Sequence, residues 1–535
     1  MYTANNNQNT GKKLESLSVT TDNKAIKDNG NKKSIVVLSG GTATNSLIDS
    51  CFSPALYNKV TFILPISDNG GSSSEIIRLF PGAAPGDFRS RIVKLIEPKS
   101  KDDIELAKIM NYRLNQENID LAKKEWNDII EGDHQVWDEC SSILKHMIRS
   151  FLINVHIEIL KKQQLNPSAK HKFDFRNANI GNFFLTGCRL LIGASFDSGL
   201  ELMMRICKID SNKTKVYSCI NTNYTHHIAA ILGNGQIIIG QSQISHPSSV
   251  SVLSNSEDGL NAVSSSQSHQ QNSVQQKNHE EDGTITDDEF DVDIKSPDED
   301  DNQKRIHPDL KISQLNFTKS MTHSKLPSPI EKIVYINSYG EIIQPLGNPR
   351  CLHSIKHANT LVYSIGSLMT SLLPILILPN VAEAIVCNKK MKKILLVNSE
   401  VDRETEQFVD TLANAQKDTA DSSAACSTNT NAFVHMIVKS IYNNLPPKYK
   451  PFNLSDNNNN NNNNNTMNTS PQDDEIPISF YKEVLTDVIY LKKGDIPIDG
   501  NDLKEKGLNV HCIDSDSQKF EGKDLQEIFE TIGAY

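Results

Sequence analysis

The chain has 535 residues, of which 37% are hydrophobic, 22% charged and 6% aromatic, and its formal net charge is -10 at pH 7. This length predicts two domains or one domain with large insertions, and the low aromatic content indicates that part of the chain adds nothing to a core. The acidic balance, without a long Lys/Arg run, argues against binding of nucleic acid or of an acidic membrane surface.

Cysteine usage and hydropathy predict a cytoplasmic protein. Nine cysteines are scattered singly, with no CxxC pair, so neither a zinc site nor a disulfide framework is indicated and reduced thiols are expected. The opening residues, "MYTANNNQNTGKK", lack the apolar core of a signal peptide. The most apolar window, Leu368 to Val386, is interrupted by Pro374, Pro379 and Asn380, so no membrane span is predicted.

Several segments are too polar to offset the entropy of ordering the chain. The predicted disordered segments are a tail over residues 1–30, an acidic insertion over 248–329 and a loop over 453–476, which contains nine consecutive Asn residues. A further polar stretch, Lys417 to Asn431, is predicted to be an exposed loop.

The first structured half, residues 31–247, opens with alternating strands and helices. Ile35 to Leu38 predicts a strand, followed by a helix from about Thr44, and "KVTFILPIS" predicts a second strand before a helix over Ser72 to Leu79. Short runs rich in β-branched residues are typical of parallel strands covered on both faces. Two or three helices are predicted between Asp102 and Leu165, within a helical insert over 98–172.

The remaining pattern completes an α/β fold. A helix is predicted over Gly181 to Ile192, and "THHIAAILGNGQIIIGQSQI" predicts a β-hairpin around Gly233-Asn234-Gly235. In the second half, residues 330–535, strands are predicted at "EKIVYIN", "NTLVYSIGS", "MKKILLVN", "TDVIYL" and "LNVHCID". We therefore predict a Rossmann-like, doubly wound, mostly parallel sheet whose two halves are separated by the acidic insertion.

Two glycine pairs follow the first two strands. In "LSGGTATN", Gly40 and Gly41 let backbone amides approach an anion, and Thr42 and Thr44 add hydroxyls where a helix begins. The alternative is a tight strand-to-helix turn. The next loop, "ISDNGGSSSE", contains Asp68, Gly70, Gly71 and Ser72. The serines could simply cap a helix, but an Asp beside a phosphate usually requires a divalent cation between them, which favours Mg²⁺.

Three further segments repeat this chemistry. "PGAAPGDFRSR" provides Gly86 and the second carboxylate, Asp87, with Arg89 and Arg91, whose forks suit phosphate, although an Asp-Arg surface pair is the alternative. "IGNFFL" places Asn182 at a helix start. "SIGSLMTS" offers the nucleotide-binding candidates Gly366, Ser367, Thr370 and Ser371.

The adjacent His226 and His227 are weaker candidates. Neighbours on a strand point to opposite faces, so at most one of the two could face a site. We expect both to be structural.

Taken together, "GGTATNSL", "PISDNGGSSSEIIR", "PGDFRSR", "IGNFFLTG", the hairpin and "VNSEVDRETEQF" resemble, in this order, the CofD-like superfamily. That group includes the phospholactate transferase of coenzyme F420 biosynthesis and the YvcK-like gluconeogenesis factor. The resemblance covers roughly residues 33–97, 173–247 and 330–410, with weaker likeness to the end.

The resemblance implies a Rossmann-like fold and two alternative functions. The transferase branch moves a phosphate-linked group from a nucleoside diphosphate carrier to a hydroxyl acceptor, with a divalent metal held by aspartates, here Asp68 and Asp87. The gluconeogenesis-factor branch binds a nucleotide sugar such as UDP-N-acetylglucosamine and regulates carbon metabolism. In that alternative the acidic insertion could bind a protein partner, and a homo-oligomer is compatible with either function.

Departures from the family pattern bear on the chemistry. Asp68-Asn69 stands where the family commonly has two aspartates, so one metal ligand is replaced by a neutral amide. Ser364 replaces the first glycine of the family's "GPGS", while Gly366 keeps the second. Thr225 to Ile228 stands where the family has "TEPV"-like residues. These changes weaken the prediction of transfer more than that of nucleotide binding.

Overall fold

The structure is a computed structural model that describes residues 33–67, 70, 72–165, 172–245, 307, 310, 325–407, 431–451, 476–515 and 517–535. The segments predicted to be disordered lie almost wholly outside these residues, and so does most of the predicted loop at 417–431.

Eleven strands are described, most of them short and buried. In chain order they are β1 Ser34–Leu38, β2 Lys59–Leu64, β3 Thr214–Ser218, β4 His227–Leu232, β5 Ile237–Ile239, β6 Ile330–Ile336, β7 Ile342–Ile343, β8 Thr360–Tyr363, β9 Lys392–Leu396, β10 Asp487–Leu491 and β11 Asn509–Ile513. The apolar runs of β1, β2, β8, β9 and β10 leave almost no side-chain surface exposed, because helices cover both faces of the sheet.

Seven strands form one parallel sheet in the order β11-β10-β9-β8-β1-β2-β3. The prediction of a mostly parallel, doubly wound sheet is therefore confirmed. The sheet contains strands from both sides of the acidic insertion. The direction in which successive strands are added to the sheet reverses between β1 and β8. Since β1 leads to β2 and β3 on one side and β8 leads away on the other, a crevice opens between the loops that follow β1 and β8.

One predicted strand lies elsewhere. β6 pairs antiparallel with β4 of the predicted hairpin, and β5, β4, β6 and β7 form a separate four-stranded sheet. "EKIVYIN" is therefore a strand, as predicted, but it does not belong to the parallel series. Local periodicity predicts a strand but does not specify its partner.

Sixteen helices are described, and many of them flank the parallel sheet. They are α1 Ile48–Cys51, α2 Ser72–Leu79, α3 Gly86–Lys94, α4 Lys101–Asn111, α5 Ile119–Glu131, α6 Ser142–Leu165, α7 Ile180–Leu191, α8 Phe196–Ile206, α9 Gln241–Ser245, α10 Pro349–Lys356, α11 Leu373–Leu376, α12 Pro379–Cys387, α13 Ala432–Asn444, α14 Tyr481–Val484, α15 Gly500–Glu505 and α16 Gly522–Thr531. A 3₁₀ turn, Ala43–Leu47, precedes α1, and a π turn, Leu368–Leu372, precedes α11.

The predicted helical insert contains three helices, α4 to α6, which pack on α7. Ser100 and Asn118 cap α4 and α5 through their side chains. Glycines on α7 permit close contact, because a Cβ at Gly181 would lie 2.3 Å from the Met110 carbonyl oxygen, and one at Gly187 would lie 2.7 Å from that of Phe151. The insert is thus held against the helix that begins at the crevice.

Among the described helices, none is by itself long and apolar enough to span a membrane. The segments Leu368–Leu376 and Pro379–Cys387 satisfy the length and composition criteria only together, and they are bent by 76° relative to one another. Their apolar side chains are buried in the main hydrophobic core.

Candidate functional site

A cleft of about 1240 Å³ lies where the carboxyl ends of β1 and β8 meet. Most of the residues predicted from separate loops line this one cleft: Gly40, Gly41, Thr42, Gly70, Gly86, Asp87, Arg89, Asn182, Gly366, Ser367, Thr370 and Ser371. Loops from both halves of the sheet therefore converge at the change of strand order, which is where open α/β sheets bind ligands.

Four predicted site residues do not line the cleft in the described structure. Asp68 and Gly71 lie outside the described residues, as does the side chain of Ser72, so their roles stay predictions. Thr44 is fully buried, and its hydroxyl donates either to Ser364 Oγ at 2.9 Å or to the Ile365 carbonyl oxygen at 3.0 Å. Thr44 joins the β1 and β8 loops to each other instead of facing a ligand.

The turn after β1 requires glycine because other groups press against it. A Cβ at Gly41 would lie 2.1 Å from Asp87 Oδ1 and 2.7 Å from the Asp87 Cα, and a Cβ at Gly40 would lie 2.6 Å from Ser371 Oγ. The loop after β8 has a matching need, since Gly366 has a φ of +144°. We call the turn formed by Gly40, Gly41 and Thr42 the β1 corner.

Arg91 holds the β1 corner from behind. Its Nη2 donates to the Gly40 carbonyl oxygen at 2.9 Å and to Ser39 Oγ at 3.0 Å, and the Gly41 carbonyl oxygen lies 3.5 Å away. In a trans peptide the N–H points opposite to the preceding C=O, and no cis peptide bond occurs in the described chain. The amides of Gly41 and Thr42 are therefore directed away from Arg91, and both residues line the cleft.

The charge of Arg91 is buried. The side chain is fully inaccessible and lies over the Phe62 ring, 4.7 Å from its centroid. Burial lowers the pKa of the guanidinium to about 9, and the nearby Asp87 opposes this effect. Arg91 is still a cation at neutral pH, and in a medium of low dielectric its field favours an anion in front of the β1 corner.

Polar groups in the turn after β8 already have hydrogen-bond partners within the protein. The carboxylate of Glu404 accepts from the Met369 amide at 3.2 Å, from Thr370 Oγ1 at 3.1 Å, and from the hydroxyls of Ser245 and Ser367. The Thr370 amide in turn donates to Ser367 Oγ at 3.0 Å. The Glu404 carboxylate thus already accepts the amide hydrogen bond for which the sequence suggested a phosphate. The β1 corner is therefore the better anion site.

Burial makes Glu404 a weaker acid than an ordinary glutamate. Desolvation, reinforced by the neighbouring Asp402, raises the pKa of Glu404 to about 7, while its hydroxyl donors act in the opposite direction. Burial also raises the pKa of Asp402, whose carboxylate accepts from the amide and hydroxyl of Thr405. The loop after β9 therefore places one buried carboxyl group, that of Glu404, and one half-buried carboxyl group, that of Asp402, at one side of the cleft.

Arg89 ties the helical insert to the cleft wall. Its Nε donates to Asn182 Oδ1 at 3.2 Å and its Nη1 to Asn111 Oδ1 at 2.9 Å. Asn179 caps α7 by accepting from the Asn182 amide, and it donates to the Tyr112 carbonyl oxygen. The insert thus contributes part of the cleft, a role that the sequence did not assign to it.

The sequence did not single out several lining residues. From the insert and the segment after it come Asn111, Arg113, Gln116, Asn177 and Asn179, and from the loop after β9 come Asn398, Asp402, Arg403 and Glu404. The segment "VNSEVDRETEQF", which contributes to the family resemblance, contains the second group. Asn398 and Gly366 exchange hydrogen bonds, with the Asn398 Nδ2 lying 2.6 Å from the Gly366 carbonyl oxygen.

The two adjacent histidines do not line the cleft. Burial lowers the pKa of both, to about 4 for His227. The structural role expected for them stays a prediction.

Comparison with known proteins identifies relatives over most of the chain. The family model described as 2-phospho-L-lactate transferase CofD matches residues 35–467. "Uncharacterized protein YNL011C" of Saccharomyces cerevisiae is 42% identical over 507 residues, which are 93% of this chain and 99% of the yeast protein.

Two bacterial proteins are also similar, one in sequence over a short segment and one in fold. The "Putative gluconeogenesis factor" of Thermotoga maritima is 32% identical over 82 residues, which are 15% of this chain and 24% of that protein. The crystal structure of a UPF0052 family member from Bacillus halodurans has a TM-score of 0.50 and 14% identity, covering 94% of this chain and 99% of the bacterial one. This second likeness supports the fold alone.

Proposed function

We propose that this protein binds a nucleoside diphosphate-linked donor in its cleft and transfers a phosphate-linked group to a hydroxyl acceptor. The premise is that the chain belongs to the CofD family. The observation that carries the proposal is the β1 corner, where the amides of Gly41 and Thr42 are directed away from the buried Arg91 cation. Backbone amides in front of a fixed positive charge suit a diphosphate.

Asp87 fits the role of a metal ligand. Its carboxylate lines the cleft beside Gly41. Within the described part of the chain, no group of three or more His, Cys, Asp or Glu side chains converges on a metal position. Mg²⁺, however, is typically bound through one or two protein carboxylates together with substrate phosphates, so Asp87, with Asp68 as the second candidate, is a sufficient donor set. Bound there, the ion would neutralise diphosphate charge.

The proposed reaction is a displacement at phosphorus. The acceptor hydroxyl oxygen forms a new P–O bond, the P–O bond to the nucleotide breaks, and a nucleoside monophosphate leaves with the bonding electrons. The hydroxyl proton passes to a carboxylate in the cleft, a role for which Asp87 and Asp68 are the candidates. The amides of the β1 corner and the charge of Arg91 stabilise the phosphate oxygens, so that positioning and electrostatics supply most of the acceleration.

A second function is a sensor that binds a nucleotide sugar without turnover. The likeness to the Thermotoga maritima protein favours it, and so does Asn69, which replaces one family aspartate. Both functions use the same β1 corner and differ only in whether the bound compound is consumed.

Transfer and binding can be measured separately on the purified chain. We expect saturable calorimetric binding of GDP- or UDP-linked compounds, and release of nucleoside monophosphate when an acceptor from a hydroxyl panel is added with Mg²⁺. Asp87→Asn and Asp68→Asn should abolish release and largely keep nucleotide affinity, while Asp49→Asn, at a surface pair with Lys94, should change neither. Binding with the compound recovered intact for every acceptor would favour the sensor, and no binding would overturn both functions.

We also infer that the protein works in the cytosol. The eight cysteines in the described residues are all free thiols, which supports a reducing compartment.

A further inference from the structure

Helix α6 carries a regular stripe of exposed side chains. Nine described side chains of α6 are exposed, and two of them, Ser142 and Lys161, flank a row formed by the other seven. The row consists of Ile143, His146, Ser150, Ile153, Ile157, Leu160 and Gln164. Their spacing alternates between three and four residues, which is the heptad period of a two-helix coiled coil. The opposite face, with Leu144, Ile148, Leu152, Val155 and Ile159, is buried in the protein's own core. We call the row of seven exposed residues, from Ile143 to Gln164, the α6 stripe.

Four of the seven side chains in the α6 stripe are large and apolar, whereas a solvated helix face is normally polar or charged. Ile143 is 80% exposed, Ile153 36%, Ile157 43% and Leu160 46%. Within the stripe itself no Asp, Glu, Lys or Arg occurs. The 24 residues of α6 give a helix about 36 Å long, and the stripe extends over three heptads, which is enough to specify a coiled coil.

We propose that two copies of this chain pair through the α6 stripe, with the two α6 helices antiparallel. About a two-fold axis between residues 151 and 152, Ile143 faces Leu160 of the second copy, His146 faces Ile157, and Ser150 faces Ile153. His146 and Ser150 then each meet a branched aliphatic side chain, while Gln164 lies beyond the paired segment. The stripe is therefore complementary to itself in this orientation.

A parallel pair is less favourable. It would place His146 on His146 and Ser150 on Ser150, so that polar layers would stack in the centre of the seam. The antiparallel pair instead distributes the aliphatic side chains over every layer, which is why we infer this orientation.

The flanking charges are compatible with antiparallel pairing. It brings Met147 next to Asn154 of the second copy, and Arg149 next to His156. Burial lowers the pKa of His156, whose Nδ1 accepts from the Trp126 indole at 2.9 Å, so this imidazole is neutral at physiological pH. Arg149 is held by the carbonyl oxygens of Ile130 and Glu131. Charges of the same sign do not face each other across these pairs.

The test measures the mass of the full chain in solution by light scattering and sedimentation equilibrium. The wild-type chain should be a dimer over about a hundredfold range of concentration. Ile153→Asp should give a folded monomer with the circular dichroism spectrum of the wild type, because Ile153 is on the protein surface, and its melting temperature should no longer depend on protein concentration. Ile342→Asp is the matched control, since Ile342 is 64% exposed on β7, outside the stripe, and it should stay dimeric. A wild-type monomer, or a dimer that Ile153→Asp leaves intact, would overturn the proposal.

Cross-linking tests the orientation. In a background with the exposed Cys387 and Cys512 replaced by Ser, we mix a Ser150→Cys chain with an Ile153→Cys chain and oxidise. The antiparallel pair predicts a disulfide between the two different chains, because these positions share one layer. Ile143→Cys mixed with Ile153→Cys should not cross-link, because the two positions lie about 10 Å apart along the seam. Preferential cross-linking of Ser150→Cys chains to each other would contradict the proposed orientation.

Discussion

The guanidinium of Arg91 donates to the Gly40 carbonyl oxygen at 2.9 Å, from the side of the β1 corner that faces away from the cleft. This single contact holds the Gly40 carbonyl group towards Arg91, and so it directs the Gly41 amide away from Arg91. It also places a buried positive charge directly behind the proposed anion site. The arginine acts on a ligand through the backbone, without touching it.

Arg91→Met should weaken diphosphate binding selectively. Loss of a charge-assisted hydrogen bond is worth about 1.5 to 3 kcal/mol, so we expect a roughly 10- to 100-fold loss of affinity for a nucleoside diphosphate. Affinity for the uncharged nucleoside should hardly change, because it lacks the phosphates. Lys94→Met, at a surface position of the same helix, is the control. Equal losses for nucleoside and diphosphate, measured by calorimetry, would show a general structural defect instead.

Gly41→Ala should abolish diphosphate binding. The added Cβ would lie 2.1 Å from Asp87 Oδ1 and 2.7 Å from the Asp87 Cα, and backbone cannot yield as a flexible side chain can. Gly500→Ala is a matched control, since its Cβ would meet Val510 at an ordinary 3.4 Å. If Gly41→Ala binds nucleotide as well as Gly500→Ala does, the β1 corner is not the binding site.

Substitutions at Thr42 and Thr44 should have different effects, one on nucleotide affinity and the other on the free energy of unfolding. Thr44 is buried and joins the β1 and β8 loops, so Thr44→Val should lower the free energy of unfolding by roughly 1 to 3 kcal/mol. Thr42 is exposed and lines the cleft, so Thr42→Val should leave unfolding nearly unchanged and reduce nucleotide affinity if its hydroxyl contacts the ligand. Urea titrations and calorimetry on both variants measure the two effects, and the reverse pattern would contradict the assignment.

Glu404 should make the protein less stable as the pH rises. Its pKa is raised to about 7 in the folded state, whereas an unfolded Glu titrates near 4.3. Between these values the folded state binds more protons, so the free energy of unfolding falls with increasing pH and levels off above about pH 7. The loss is at most roughly 4 kcal/mol for this group. Asp402 shifts in the same direction.

Glu404→Gln tests this dependence, because the amide cannot ionise. Its stability should fall less than that of the wild type between about pH 5 and pH 8, as measured by urea unfolding at several pH values. Glu383→Gln is the control, since Glu383 accepts from Tyr449 outside the cleft. Identical slopes for wild type and Glu404→Gln would show that Glu404 is ionised throughout.

Much of the fold follows from local patterns. β1, β2, β8, β9 and β10 are continuous apolar runs, and sequence periodicity is sufficient to predict them. β3 was missed, because Thr214–Ser218 is short, has polar residues at three of its five positions and lies at the edge of the sheet. The hairpin was predicted, but its partner β6 is about a hundred residues away along the chain, and no local signal specifies such a pairing.

The site was predictable where glycine marks a close approach. Gly40, Gly41 and Gly366 were selected for that reason, and they do lie at one cleft. The difference between Arg89, which lines the cleft, and Arg91, which is buried behind it, depends on helix orientation and could not be predicted from composition. Likewise, the capping of the β8 turn by Glu404 depends on a contact between residues more than thirty positions apart.

The most direct test of the central claim is a crystal structure of the full chain with a nucleoside diphosphate and Mg²⁺. We predict the diphosphate within hydrogen-bond distance of the Gly41 and Thr42 amides, with Asp87 close to the metal ion and Arg91 behind the loop. A diphosphate bound at the β8 turn, or anywhere away from the β1 corner, would contradict the account.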